Sequence, residues 1–173
     1  MPPDVPRVPT WDNVRRLYVQ TVGPVLSAAG FGPAGRTMWR TRGEFVDVID
    51  CRCNKWNTAA QISFGCGLRH FTKLHPKPWH CIFNVQGGFP WPAELLEFKE
   101  SAELQLAAFR KLAPKVLQAS ECWFAHFSDL PTAREAAKSN SLQWPNRVAL
   151  FGVPSPAFSE AMEQLNLRTK DIT

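Results

Sequence analysis

Ala59-Ala60-Gln61-Ile62-Ser63-Phe64-Gly65-Cys66-Gly67-Leu68-Arg69 alternates without a slip. Ala60, Ile62, Phe64, Cys66 and Leu68 share one parity, while Gln61, Ser63, Gly65, Gly67 and Arg69 share the other. Successive strand side chains leave opposite faces, so the stretch reads as a strand with one buried face and one wet or lightly covered face. Trp79 to Gln86 repeats the pattern, with Trp79, Cys81, Phe83 and Val85 set against His80, Ile82, Asn84 and Gln86. Upstream, Phe45 to Asn54 and Thr37 to Arg42 complete four strand candidates, with Arg42-Gly43-Glu44 as a tight hairpin turn between the first two. In the second strand the apolar parity switches, from Val46 and Val48 to Ile49, Cys51 and Cys53. Either a bulge near Val48 or burial on both faces accounts for the switch.

Helical spacing frames these strands. Thr10 stands as N-cap before Val14, Leu17, Tyr18, Val22, Val25 and Leu26, with Gly30 as the stop. Gly23-Pro24 predicts a kink or restart, because Pro24 lacks the N–H that the helical ladder needs. After the strands, Pro92 opens a long helix through Leu95, Phe98, Ala102, Leu106 and Phe109, and Pro114 opens a second that carries Trp123, Phe124 and Phe127. Thr132-Ala133-Arg134-Glu135 reads as a capping box for a third helix, and Ser155-Pro156 as the start of a last one to about Leu167. The order defines an α+β domain: an antiparallel sheet of about four strands, an N-terminal helix and several C-terminal helices. Residues 1–10, with prolines at 2, 3, 6 and 9, read as a flexible polyproline-like arm, leaving residues 11–173 as one domain.

Composition narrows the class. No run approaches the ~20 apolar residues of a membrane span, and Met1 to Pro9 has no signal-peptide core. Five cysteines at irregular spacing point to a reducing, cytoplasmic compartment. The net charge of +5 is one-sided: residues 1–90 carry 11 Lys and Arg against 5 Asp and Glu, and the rest is nearly balanced. An excess of that size is compatible with an acidic partner without demanding one.

The runs Val25-Leu26-Ser27-Ala28-Ala29-Gly30-Phe31 and Gly35-Arg36-Thr37-Met38-Trp39-Arg40 precede Phe45-Val46-Asp47-Val48-Ile49-Asp50-Cys51-Arg52 and Ile62-Ser63-Phe64-Gly65-Cys66-Gly67. Together, over about residues 14–70, they resemble the bacterial family known as domain of unknown function 4304. The shared pattern is a helix ending in Leu-x-x-x-Gly-Phe, a short basic turn, and paired strands of which the later ends near glycine. The resemblance implies a small bacterial α+β domain and no established activity. One departure stands out: where the family often places a glutamine after the second strand's apolar run, this chain has Cys51-Arg52-Cys53-Asn54-Lys55-Trp56, keeping only the aromatic.

Cys51, Cys53, Cys66, His70, His75, His80 and Cys81 fall close together and raise the question of a metal. Zinc sites favour C-x₂₋₄-C knuckles, whereas Cys51-x-Cys53 in a strand holds its sulfurs about 7 Å apart. If Lys55 to Thr58 form the turn, Cys53 pairs near Ala60 and Cys66 lies about 20 Å further along. Cys66 and Cys81 also share the apolar parity, where free cysteine acts as a small hydrophobe. Core cysteines are the preferred reading, and no metal or cofactor is expected. His80 and Cys81 are adjacent in a strand and cannot pair as nucleophile and base. Asp47 and Asp50 have no companion carboxylates at a recognisable spacing, and Gly65-Cys66-Gly67 is too short for a phosphate loop. The chain is therefore expected to lack catalytic residues.

What is left is the polar parity of the sheet: Arg52, Asn54, Gln61, Ser63, Gly65, Gly67, Arg69, His80, Asn84 and Gln86. Strand glycines let a ligand or another backbone approach closely. The competing reading is that a helix packs there, or that the glycines mark a barrel-like bend. Trp56, Trp79, Trp91 and Trp144 lie near loops and supply aromatic anchors of the kind interfaces use. These features point to a non-enzymatic module that binds another protein, as an antitoxin or immunity protein does. Two alternatives remain open. One is binding of single-stranded nucleic acid by the basic first half, including Arg69-His70-Phe71-Thr72-Lys73. The other is a small-ligand enzyme whose pocket is lined by Asp47, Asp50, Arg52 or His80.

Overall fold

The computed structural model describes residues 9–70, 75–85, 91–138 and residue 163. Helix α1 (Trp11–Ala28) leads into strands β1 (Thr37–Arg42), β2 (Phe45–Cys53) and β3 (Ala60–Leu68). A single 3₁₀ turn, Pro78–His80, precedes β4 (Phe83–Val85), and then come α2 (Ala93–Leu96), α3 (Ala102–Phe124), a second 3₁₀ turn (Ala125–Phe127) and α4 (Leu130–Lys138). The four strands form one antiparallel sheet in the order β1-β2-β3-β4.

Register assigns the two faces. Met38, Arg40 and Arg42 on β1, Phe45, Asp47, Ile49 and Cys51 on β2, and the even-numbered residues Ala60 to Leu68 on β3 share one face. On that face Phe64 meets Trp123 and Phe124 of α3 at ring separations of 6.0 and 5.8 Å, and Phe83 stacks on Phe127 at 4.5 Å. Buried Val14, Tyr18, Val22 and Leu26 recur every four residues along α1, and Tyr18 meets Phe109 of α3 edge-on. The main core lies between this face and the two long helices.

Local chemistry explains the boundaries. Thr10 is the N-cap of α1 through its backbone, whose carbonyl accepts from Asn13 and Val14, and its side chain makes no cap bond. At the other end Gly30 adopts φ +88°, while the N–H groups of Gly30 and Phe31 bond back to Ser27 and Leu26. That is a Schellman ending, with Phe31 packed into the core behind it. Gly43, at φ +57°, occupies the first central position of the two-residue β1–β2 hairpin, where a II′-type turn places glycine. The β2–β3 register pairs Cys53 with Ala60, as a turn over Lys55 to Thr58 requires.

Several expectations need correction. Strand β2 contains no bulge: its pairing with β3 runs unbroken from Phe45 to Cys53, and the parity switch reflects burial on both faces from Phe45 to Cys51. The fourth strand is only Phe83–Val85; Pro78 starts a tight turn, so Trp79 and His80 are not strand residues, and Gln86 lies outside the described residues. Neither Pro24 nor Pro114 restarts a helix, for both sit inside continuous ones. Each ring removes the amide that would bond to the carbonyl four residues back, of Gln20 and Arg110, and both prolines and both of those residues are exposed, where water is at hand to replace the lost bond. The helix break comes earlier, at Glu97 to Ser101. There Ala59 and Glu97 form a β-bridge and Phe98 N–H bonds to the Thr58 carbonyl, which pulls the chain into extended conformation. Ser101 then caps α3 by accepting from Leu104 N–H. Helix α4 begins at Leu130 rather than near Thr132, because Asp129 supplies the cap by accepting from Thr132 N–H at 2.8 Å. The last helix expected from Ser155-Pro156 lies outside the described residues.

Candidate functional site: the strapped face and its rim

The second face of the sheet carries Thr37, Trp39 and Thr41 from β1, Val46, Val48, Asp50 and Arg52 from β2, Gln61, Ser63, Gly65 and Gly67 from β3, and Asn84 from β4. Residues 75–82 cross it as a strap. A methyl group on Gly65 would stand 2.6 Å from Pro78 Cα and 3.0 Å from both the Pro78 carbonyl oxygen and the Cys81 sulfur. The glycine therefore admits the protein's own chain, and the centre of this face is covered rather than wet. Cys81 forms a small second core with Val46, Val48 and Trp39. Thus Cys66 and Cys81 lie on opposite faces of the sheet, both buried, and not on one inward face as their shared parity implied.

Polar contacts fasten the strap. Lys77 Nζ donates to Thr37 Oγ1 at 2.6 Å, and Thr37 Oγ1 donates to Asp50 Oδ1. His80 Nδ1 accepts from Lys77 N–H at 3.2 Å, and Asn84 Nδ2 donates to the Cys81 carbonyl at 3.4 Å. The His75 ring meets Trp39 edge-on at 5.5 Å.

Of the residues singled out in the sequence, Ser63, Gly65, Gly67 and Asn84 are buried beneath or beside the strap. Arg52, Gln61 and His80 are half-buried and come together at one end of the sheet. Arg52 pairs with Gln61 in register and holds its guanidinium 5.3 Å from the Trp79 ring, which in turn meets His80 at 5.8 Å. Arg69 is exposed at the other end, where its N–H bonds to the Glu44 carbonyl. Eight residues of strand separate it from Gln61, roughly 27 Å, so the two do not share a patch.

Asn54 works inside the β2–β3 turn. Its Oδ1 accepts from Thr58 N–H at 2.9 Å and its Nδ2 donates to Thr58 Oγ1 at 2.9 Å. Asn57 takes the left-handed conformation there, at φ +56°. At the tip of this turn Trp56 is 69% exposed, with Lys55 Nζ 4.4 Å from its ring. The rim thus offers two cation–aromatic pairs, Arg52 with Trp79 and Lys55 with Trp56. Sequence reading picked out both tryptophans as loop anchors but missed their cations, because neither pairing follows from strand parity.

The opposite face hides an ionic cluster that the alternation did not reveal. Asp47, fully buried, accepts from Arg40 Nε at 3.0 Å and from Arg42 Nε and Nη2 at 3.0 and 3.1 Å. Arg40 reaches on to both oxygens of Glu121, and Arg42 donates to the Phe124 and Phe127 carbonyls. Burial pulls both guanidinium pKa values down, and the hydrogen bonds to Glu121 and Asp47 more than offset it, leaving both raised. The cluster clamps β1 to the end of α3. Its signal was available in Arg40-x-Arg42, two cations on the strand's core-facing parity.

Burial likewise pushes the Cys51, Cys66 and Cys81 thiols upward, reinforced by Asp50 for the first and Asp47 for the other two. Protonated and enclosed, these sulfurs are poor nucleophiles and poor ligands. Among the described residues no three His, Cys, Asp or Glu side chains converge as a metal site, and no helix is long and apolar enough to cross a membrane. Asp47 and Asp50 are buried and tied to neighbours, and the cavity between α1 and the start of α3 is lined by neither, nor by Arg52 or His80.

Fold and site together define a small α+β domain with one helix-covered sheet face and one strapped face. No family model, curated protein or solved structure matches the chain.

Proposed function

We propose that this chain is a non-enzymatic protein-binding module that engages its partner through the β2–β3 turn and the adjoining rim. The observation that carries this reading is Trp56, 69% exposed on a turn held by Asn54. Leaving a tryptophan in water forgoes the burial energy of a large ring, and aromatic side chains on rigid supports are the usual anchors of protein interfaces. Lys55 lies over it and Arg52 lies over Trp79 on the same rim, so the reading favours a partner with a pocket for the ring and acidic groups around it. The five cysteines, all free, support a reducing, cytoplasmic setting. The likeness to domain of unknown function 4304 supports a bacterial origin and is silent on activity.

Trp56→Ser is the test. Affinity capture from the native host, quantified by mass spectrometry, should lose the specific partner, with a cost of about 2 kcal/mol or more in binding once that partner is purified. The melting temperature should stay unchanged, since the ring supports no core. Undiminished capture by Trp56→Ser would refute the reading.

The paired cations and rings favour a second reading, stacking of single-stranded nucleic acid bases with neutralisation of phosphates. It requires oligonucleotide binding that weakens steeply with salt, and no shift at low salt would dispose of it.

A further inference from the structure

Helix α1 and the chain entering the first turn of α3 flank a half-open cavity of about 440 Å³, away from the strapped face. That volume lies in the lower part of the range for small-molecule sites. Val14 and Leu17 of α1 and Ala102 of α3 give it apolar lining. Arg16 and Glu100 bring opposite charges to it, one from each side. They form no ion pair with each other: among the described residues Arg16 bonds only to Asn13, and Glu100 has no ion-pair partner.

Gln105 is the decisive residue. It lines the cavity yet is only 1% exposed, and its Oε1 accepts from Lys99 N–H at 2.9 Å. The Nε2 group has no hydrogen-bond partner. A buried donor without an acceptor is costly, and native structures rarely leave one without a reason. An acceptor brought by a ligand would remove that cost. Separated opposite charges, an apolar lining and an unpaired amide donor are complementary to one kind of small molecule. We propose that the cavity binds a free α-amino acid with an apolar side chain. Its carboxylate takes Arg16 and draws the buried Gln105 amide toward it by a turn of that side chain, its ammonium faces Glu100, and its side chain lies on Leu17 and Val14. A simple fatty acid would leave Glu100 unanswered, and a simple amine would leave Arg16 and Gln105 unanswered.

The experiment is calorimetric titration of the full chain with L-leucine, 4-methylpentanoate and isoamylamine, each against wild type, Arg16→Ala and Glu100→Gln. Leucine should bind saturably, and each truncated probe should bind at least about tenfold more weakly. Each variant should lose leucine affinity by about tenfold or more while keeping the wild-type melting temperature, since both side chains are exposed. Gln105→Met, of similar length without the amide, should also weaken leucine; a folded state is confirmed by its near-UV spectrum. Failure of leucine and the other apolar amino acids to saturate below about 10 mM overturns the proposal. So does 4-methylpentanoate binding as tightly as leucine, or leucine affinity indifferent to Arg16→Ala and Glu100→Gln. Trp56→Ser should bind leucine normally, so this test stands or falls separately from partner capture.

Discussion

Gly65 decides how closely the strap can approach the sheet. The atoms that a β-carbon would strike are the Pro78 Cα and carbonyl oxygen, which belong to the backbone and cannot swing aside as a side chain can. Gly65→Ala should therefore cost about 1–3 kcal/mol in chemical denaturation. An unchanged denaturation midpoint would mean that the strap does not rest on this residue. Asp47 is the corresponding residue on the other face. Three guanidinium N–H groups converge on its buried carboxylate, so Asp47→Ala leaves the half-buried Arg42 without a carboxylate partner and Arg40 with Glu121 alone. Removing one partner of a buried pair typically costs about 3–5 kcal/mol. Urea titration checks this, and a loss below about 1 kcal/mol would place the clamp among ordinary surface ion pairs.

Elements show where the sequence was readable. The alternation of Ala60 to Leu68 translated directly into β3 and its register, because a hairpin partner on one side and a helix layer on one face both enforce period two. Residues 79–86 alternated just as well, yet among the described residues 79–85 only three became strand. Pro78 fixes a tight turn that takes Trp79 and His80 out of the strand, so periodicity was overridden by backbone geometry. The polar parity was legible as a face and its covering was weighed as a packed helix, but the strap itself was not legible, since it reaches the face through contacts remote in sequence. Helix limits were misread for a related reason: proline was given the weight that belonged to pairing with the β2–β3 turn and to the Ser101 cap. Pro114 is a misfit inside α3, not its boundary. Pro114→Ala should restore a bond to the Arg110 carbonyl and stabilise the protein, by up to about 3 kcal/mol, as a higher melting temperature. No gain would show that α3 has already relaxed around the ring.

At the scale of the whole molecule the two faces are held unequally. The helix-covered face rests on an aromatic core running from Phe64 through Trp123 to Phe127, whereas the strap is held by Lys77, Cys81 and a few ring contacts. Stability then should not be uniform, and the strap should open in excursions too small to unfold the sheet. The cysteines report this. Cys66 and Cys81 lie on opposite faces and are both pushed upward by burial, so at pH 8 neither offers thiolate while the fold is closed. Under native conditions Cys81 should alkylate faster than Cys51 and Cys66, and slower than exposed Cys122. Lys77→Ala removes the bond to Thr37 and should raise the Cys81 rate by about fivefold, the equivalent of about 1 kcal/mol, without altering Cys66. The same raised thiols set the sign of the alkaline response. Because the folded values lie above the ordinary thiol value of 9.0, their stabilising effect is complete below that pH and declines as pH rises past it, when the unfolded chain releases protons that the folded chain retains. Peptide mapping of the alkylated protein resolves each site. Equal rates at Cys81 and Cys66, rising together in Lys77→Ala, would show a single cooperative unit in which the strap is as firmly held as the helices.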